Sequence, residues 1–294
     1  MKIKRFFTIA AVLNLICVSN SLAEHPINVQ KNAINKEYYK AMVSFERLPR
    51  QKLNKEVLLS AAQSAWALSL PDTAIELFDK ILDDKNISNK EKAKIYLYKG
   101  IIDFQEGKYS ISQIFAKKAL SFSNDISESL KSAALKLLGD SYFKLKLYGE
   151  AKREYIEALK YADNNQQPSI YLQKGMAEFY LGSFDEAQKD LQKVSMDNED
   201  APLAIKLLMK ILLEKKDYQK LKKWIEVLNI EFPDEFIDSW IDYAKVKVAI
   251  SEDNKREALK VLEFAKDKYP ESDSWINLAR ASLETYLWNK GVKN

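Results

Sequence analysis

Residues 96–109 read YLYKGIIDFQEGKY, and residues 171–184 read YLQKGMAEFYLGSF. Tyr, Leu, Lys, Gly, an acidic residue, Phe, Gly and a closing aromatic fall at matching offsets in both. A third copy, LKLLGDSYFKLKLYGEAKREYIEAL (135–159), lies between them. Aligned on Gly100, Gly139 and Gly175, the copies next carry Gly107, Lys146 or Gly182, then Tyr109, Tyr148 or Phe184. Small residues follow at Ser112, Ala151 or Ala187, and small apolar ones at Ala119, Ala158 or Val194. Self-similarity at such a period marks stacked repeats, each unable to bury its apolar face alone.

The pattern continues more weakly on both sides. Upstream, SAAQSAWALSLPDTAIELFDKIL (60–82) has Ala62 in the glycine position, then Ala74 and Phe78. Downstream, residues 217–233 end in Pro233 and residues 254–270 in Pro270, where proline suits a helix end because it cannot continue a helix interior. The glycine-equivalent positions are 62, 100, 139, 175, 209 and 246, with Met209 and Val246 standing for glycine in the last two. This arrangement resembles the tetratricopeptide repeat (TPR), a helix–turn–helix unit of about 34 residues, in the form found in exported bacterial proteins. The resemblance implies an all-α fold, a right-handed α-solenoid of about six repeats over residues 55–270. Residues 24–54 are expected to hold an N-terminal segment with one capping helix over residues 36–47. Residues 271–294 are expected to form a C-terminal capping helix with Ile276, Ala279, Leu283 and Leu287 on one stripe.

The N-terminus reads as a cleaved signal peptide over residues 1–23: a basic start to Arg5, an apolar run from Phe6 to Val18, and Ser21 and Ala23 before Glu24. The apolar run falls short of the roughly 20 residues that span a bilayer. Export to the periplasm is therefore expected, with nothing membrane-spanning once the signal is gone. Cys17, the only cysteine, lies inside this segment behind Ile16, an unsuitable residue for a lipid-anchor site. Without the segment, 43 basic side chains face 42 acidic ones, and no Lys/Arg block marks a nucleic-acid footprint. Nucleic acid is excluded as a partner.

The only histidine is His25, expected on a frayed terminus, so metal clusters and Ser–His–Asp or Cys–His constellations are not available. An S-x-x-K occurs at Ser141–Lys144, but Tyr142 and Leu145 fit a packing stripe and make the pair incidental. No glycine-rich phosphate loop is present. The reading is therefore a non-enzyme without cofactor or metal. Asp84–Ser88, in an inter-repeat turn, matches an acidic-extended glycosylation acceptor centred on Asn86.

What remains is binding. In the family that the chain resembles, five positions of each first helix line a concave groove. Carried over, they are Leu97, Ile101 and Phe104; Lys136, Asp140, Phe143 and Lys144; Leu172, Met176, Phe179 and Tyr180; Lys206, Lys210 and Leu213; and Trp240, Tyr243 and Lys247. Phe104, Phe143 and Phe179 have two readings: packing within each repeat, or an aromatic ladder flanked by lysines that grips an apolar, acidic segment. The Lys/Asn clamp of chaperone-binding relatives is absent, since its positions hold Leu97/Ile101, Lys136/Asp140 and Leu172/Met176. The expected function is a non-catalytic periplasmic scaffold that binds an extended or helical segment of an envelope component. The alternative is a glycan- or exopolysaccharide-handling module.

Overall fold

The computed structural model describes residues 25–235 and 237–291. The signal-like segment, Cys17 and the expected cleavage point lie outside them. Two compact units divide the chain, one through Ser88 and the other from Asn89 onward. Among the described residues, all regular elements are helical.

The first unit holds α1 (Pro26–Ile34), α2 (Tyr38–Glu46), α3 (Lys55–Ala67) and α4 (Pro71–Leu82). Helix α2 occupies the stretch expected for the cap, but α1 precedes it. His25 is not a frayed end: it is the N-cap of α1, where its Nδ1 accepts the Ile27 N–H at 3.2 Å. Proline in the first turn then sacrifices no helical hydrogen bond. Helices α1 and α2 pack on each other and on α3, with Val29 and Ala41 fully buried.

The second unit continues the paired pattern with α5 (Asn89–Gln105) and α6 (Tyr109–Leu120), then α7 (Glu128–Lys144) and α8 (Tyr148–Leu159). Next come α9 (Gln167–Tyr180) with α10 (Phe184–Leu191), α11 (Ala201–Glu214) with α12 (Tyr218–Glu231), and α13 (Ser239–Ser251) with α14 (Lys255–Lys268). An unpaired α15 (Ser274–Asn289) follows, capped by Asp273, whose carboxylate accepts the Trp275 and Ile276 N–H groups.

Each helix pair turns through one residue in the left-handed region: Lys36, Ser69, Gly107, Lys146, Gly182, Lys216 and Asp253, with φ between 56° and 76°. Only glycine enters that region freely; for other residues it costs on the order of 1 kcal/mol. The second glycine of both quoted copies is thus a turn requirement. The first is a contact. A Cβ on Gly139 would lie 2.7 Å from Tyr155, one on Gly175 2.8 Å from Leu191, and one on Gly100 2.8 Å from Leu137.

The core is a chain of local clusters, each joining a first helix, its second helix and the next first helix. Leu135, Tyr155 and Ile170 form one such layer; Leu172, Leu191 and Leu208 form the next; Met209, Leu221 and Ile241 form a third. Stability in such a stack is a sum of nearest-neighbour contacts.

Candidate binding face

The first helices α5, α7 and α9 enclose a cleft of about 360 Å³. Ile101 and Phe104 come from α5, Lys136 and Asp140 from α7, and Ser169 and Ile170 from the start of α9. Four expected groove residues, Ile101, Phe104, Lys136 and Asp140, therefore do converge. Their charges are spent on each other. Lys136 Nζ lies 2.8 Å from Asp140 Oδ2, and the Tyr155 hydroxyl donates to Asp140 Oδ1 at 2.8 Å. Burial, reinforced by the Asp140 carboxylate, pushes the Tyr155 hydroxyl far above the usual phenol range, so it stays a donor.

Phe104, Phe143 and Phe179 are half-buried, and each meets the aromatic that opens its own second helix. Phe104 meets Tyr109 at 5.3 Å, Phe143 meets Tyr148 at 5.3 Å, and Phe179 meets Phe184 at 5.6 Å between ring centroids. These are fasteners within repeats, in favourable edge-on or tilted geometries. The accessible ring is Tyr180, 56% exposed. It stacks on Tyr148 at 4.8 Å with an 11° interplanar angle, and stands edge-on to Phe143 at 5.7 Å. Lys144, at the end of α7, is exposed.

Other carried-over positions turn away from solvent. Leu97 is buried with Ala93, Ala116 and Leu137, and Leu172 with Ala187 and Leu191, so neither can meet a partner. Trp240 is buried in the α11–α13 layer, and exposed Lys210 sits 5.0 Å above its ring. These three are corrections to the groove list: an apolar side chain at the edge of a helix contact goes to the core, where burial stabilises it by about 1.5–3 kcal/mol. Lys206 pairs with Asp238 at 3.1 Å. Met176 and Leu213 are half-buried against the core. Tyr243 is half-buried beside Trp275, 5.4 Å between ring centroids, and Lys247 is partly exposed. The side chains most open to a ligand on this face are Lys144, Tyr180 and Lys210.

No family model and no curated protein matches the chain. Solved structures do. The C-terminal part of a TPR repeat-containing protein from Cytophaga hutchinsonii is similar with a TM-score of 0.68 and 15% identity, over 86% of this chain and 98% of that one. The fold is that of a TPR protein. YrrB, a TPR protein with an unusual peptide-binding site, is similar with a TM-score of 0.58 and 19% identity, over 70% of this chain and 99% of its own. Pseudomonas aeruginosa pilF gives a TM-score of 0.58 and 14% identity, over 72% and 94%.

Within this TPR frame, the two quoted copies share a feature that the repeat pattern does not explain: a lysine before the glycine and an acid four residues after that lysine. In the later copy Lys174 Nζ lies 2.7 Å from Glu178 Oε1 and also bonds Asp190 of α10. Lys152 of α8 approaches Glu178 at 3.2 Å, and Lys193 approaches Asp190 at 2.8 Å. Glu178 and Asp190 are buried, so the network ties three helices together inside the stack. Burial works against ionised Asp190, yet hydrogen bonds from Lys174 and Lys193 hold its carboxyl below the usual range. In the earlier copy Asp103 is buried, with Lys108 3.7 Å away. There burial wins over Lys108 and Lys99 and raises the carboxyl. The sequence offered the spacing as a signal, but an i, i+4 pair of this kind more often lies on a solvated face.

Ser141 is buried, and its hydroxyl donates to the Leu137 carbonyl at 2.8 Å, with Ser112 Oγ 3.0 Å away. That environment suits a packing serine and leaves no reachable nucleophile. Asn86 is exposed in a turn where its N–H donates to Asp84 Oδ1 at 2.9 Å. A second cleft, of about 400 Å³, lies among α12, α13 and α14 and is lined by Ile225, Lys245 and Phe264 among others. No sequence signal marked it. Among the described residues, no group of three or more His, Cys, Asp or Glu is placed to hold a metal ion. Nor is any described helix long and apolar enough to cross a membrane.

Proposed function

We propose that this chain is a non-catalytic scaffold, exported to the periplasm, that holds an apolar and acidic protein segment on the face made by its first helices. The observation that carries the reading is Tyr180, more than half exposed on a stacked aromatic base, with exposed Lys144 and Lys210 on first helices of neighbouring repeats. An aromatic anchor with exposed cations on the neighbouring repeats suits a segment with an apolar side chain and carboxylates. YrrB, similar in fold, has a peptide-binding site. The signal-like N-terminus supports export, and an envelope component is then the natural partner class. A hydrolase reading has no support from Ser141.

The test is a crosslinking pull-down from the native envelope, comparing wild type with Lys144→Glu/Lys210→Glu. The expected result is one protein recovered with wild type and lost with the double variant, with capture weakened by added salt. Equal recovery would remove binding from this face. The exposed Tyr180 ring also favours a second reading, a glycan-handling module. In that case Tyr180→Ala abolishes capture of a polysaccharide, and salt and the lysine substitutions have little effect.

A further inference from the structure

The turn that follows α4 carries Asp84-Lys85-Asn86-Ile87-Ser88. Within it, Asn86-Ile87-Ser88 is the only Asn-x-Ser or Asn-x-Thr among the 294 residues. In an exported chain, such a triplet accepts N-linked sugar when its middle residue is not proline. Asp84 adds the acid, two residues before the asparagine, that the extended form of this acceptor requires.

The turn holds its main chain and leaves this asparagine's side chain outside. Asp84 Oδ1 accepts the Asn86 N–H at 2.9 Å, and the Asp84 carbonyl accepts the Ile87 N–H at 3.2 Å. An aspartate that bonds the backbone two residues on is a common way to fix a turn. Ile87, 5% exposed, pins the turn to the core, while Asp83, Asp84, Lys85, Asn86 and Ser88 are exposed. The carboxamide of Asn86 makes no hydrogen bond to any described residue. Other asparagines are committed. Asn89 donates to Asp125 Oδ2 at 3.0 Å, and the side chains of Asn54 and Asn254 cap helices. A substituent on Asn86 Nδ2 would therefore displace no cap and no packed side chain, and it would spare the main-chain bond to Asp84.

We propose that Asn86 is the acceptor of an N-linked oligosaccharide, a modification that rests on the export proposed above. The donor is an oligosaccharide carried on a lipid pyrophosphate, brought by a membrane transferase. Asn86 Nδ2 forms a bond to the anomeric carbon as the bond from that carbon to the pyrophosphate oxygen breaks. The lipid pyrophosphate leaves, one amide proton passes to a base of the transferase, and nothing is oxidised or reduced. In the folded chain the Asp84 carboxylate is engaged by the Asn86 N–H. The acceptor is therefore read before the chain folds, while that carboxylate is free, and folding closes the turn with the sugar in solvent. Surface turns tolerate such bulk because no other element packs over them.

Intact-mass spectrometry of the chain isolated from its native envelope tests this, alongside Asn86→Gln, Ser88→Ala and Ser88→Thr. Wild type and Ser88→Thr should exceed the mass of residues 24–294 by whole sugar units. Asn86→Gln and Ser88→Ala should match the bare mass of their own residues. The readout is mass, so a variant that folds poorly still reports. The same spectra separate the sugar from export. A wild type that begins at Glu24 without added mass overturns the proposal and leaves export standing. One that keeps residues 1–23 without added mass overturns both. Added mass that persists in Asn86→Gln also overturns the proposal, by placing the sugar on another residue.

Discussion

The repeats from α5 to α10 and those from α11 to α14 solve one crossing problem in opposite ways. In the earlier region the first helix gives way: Gly139 leaves room for Tyr155, and Gly175 for Leu191, with less than 3 Å between a would-be Cβ and the opposing side chain. In the later region the first helix fills its own space with Met209 and Val246, both fully buried, and the second helix brings Ile225 and Leu262 at the corresponding positions. The opposing side chain keeps a similar bulk from Leu191 to Ile225 and Leu262, so it is the first helix that changes, and the packed layer is kept. Repeat identity is therefore a property of the pair of positions rather than of the glycine alone, which is why the later repeats look degenerate in sequence and ordinary in structure.

Each kind of crossing can be broken in turn. Tyr155→Ala should cost most, about 3–5 kcal/mol, since it empties the space that Gly139 cedes and removes a hydroxyl from Asp140. Met209→Ala should cost about 2–5 kcal/mol by opening a cavity in the layer it forms with Leu221, Ile225 and Ile241. Chemical denaturation monitored by circular dichroism reads both; a loss below 1 kcal/mol at either site would contradict the packed-crossing account. Gly139→Ala should destabilise by about 1–3 kcal/mol through overpacking, although alanine is the better helix former by about 1 kcal/mol. If Gly139→Ala proves stabilising, the close approach is not a constraint.

The two buried carboxyl sites differ in sign. Asp190 is held below the usual carboxylate range, so its contribution is present above the unfolded value of about 3.9 and is lost as pH falls through the lower folded value. Asp103 is raised, so its ionised form weakens the fold at neutral pH and acidification relieves it. Stability measured between pH 7 and pH 3 should lose some of its acid-side decline in Asp190→Asn. In Asp103→Asn the decline should steepen. Matching slopes in the two variants would show that the Lys174 network does not hold Asp190 as described. The smallest effect lies in the turns. Lys146→Gly should stabilise by up to about 1 kcal/mol by relieving a positive φ, while Gly107→Ala should cost about as much. Both are readable as shifts in melting temperature.

The helix pairs were legible because small residues at a crossing and glycine in a left-handed turn are steric necessities that leave a spacing behind. Lys146, Lys216 and Asp253 meet the same turn requirement without the residue that advertises it, and the helices around them were placed by alignment with neighbours. Helix α1 was not legible: His25 reads as part of a frayed terminus until the imidazole is seen capping Ile27. The binding face was only partly legible. A repeat position specifies a direction to within a fraction of a turn, and that fraction separates buried Leu97 and Leu172 from exposed Tyr180. The buried Lys174 network stayed hidden because its spacing is that of an ordinary solvated pair.

The central claim, that a protein segment is held on the first-helix face, is tested most directly by site-specific photo-crosslinking in the native cell. A photoreactive phenylalanine would replace Tyr180 on that face, and Phe264, 69% exposed on α14, in a parallel strain. The account predicts a single adduct from the position of Tyr180, displaced by an acidic, apolar peptide taken from the captured protein, and none from the position of Phe264. An adduct from the position of Phe264 alone would place binding among the second helices and contradict it.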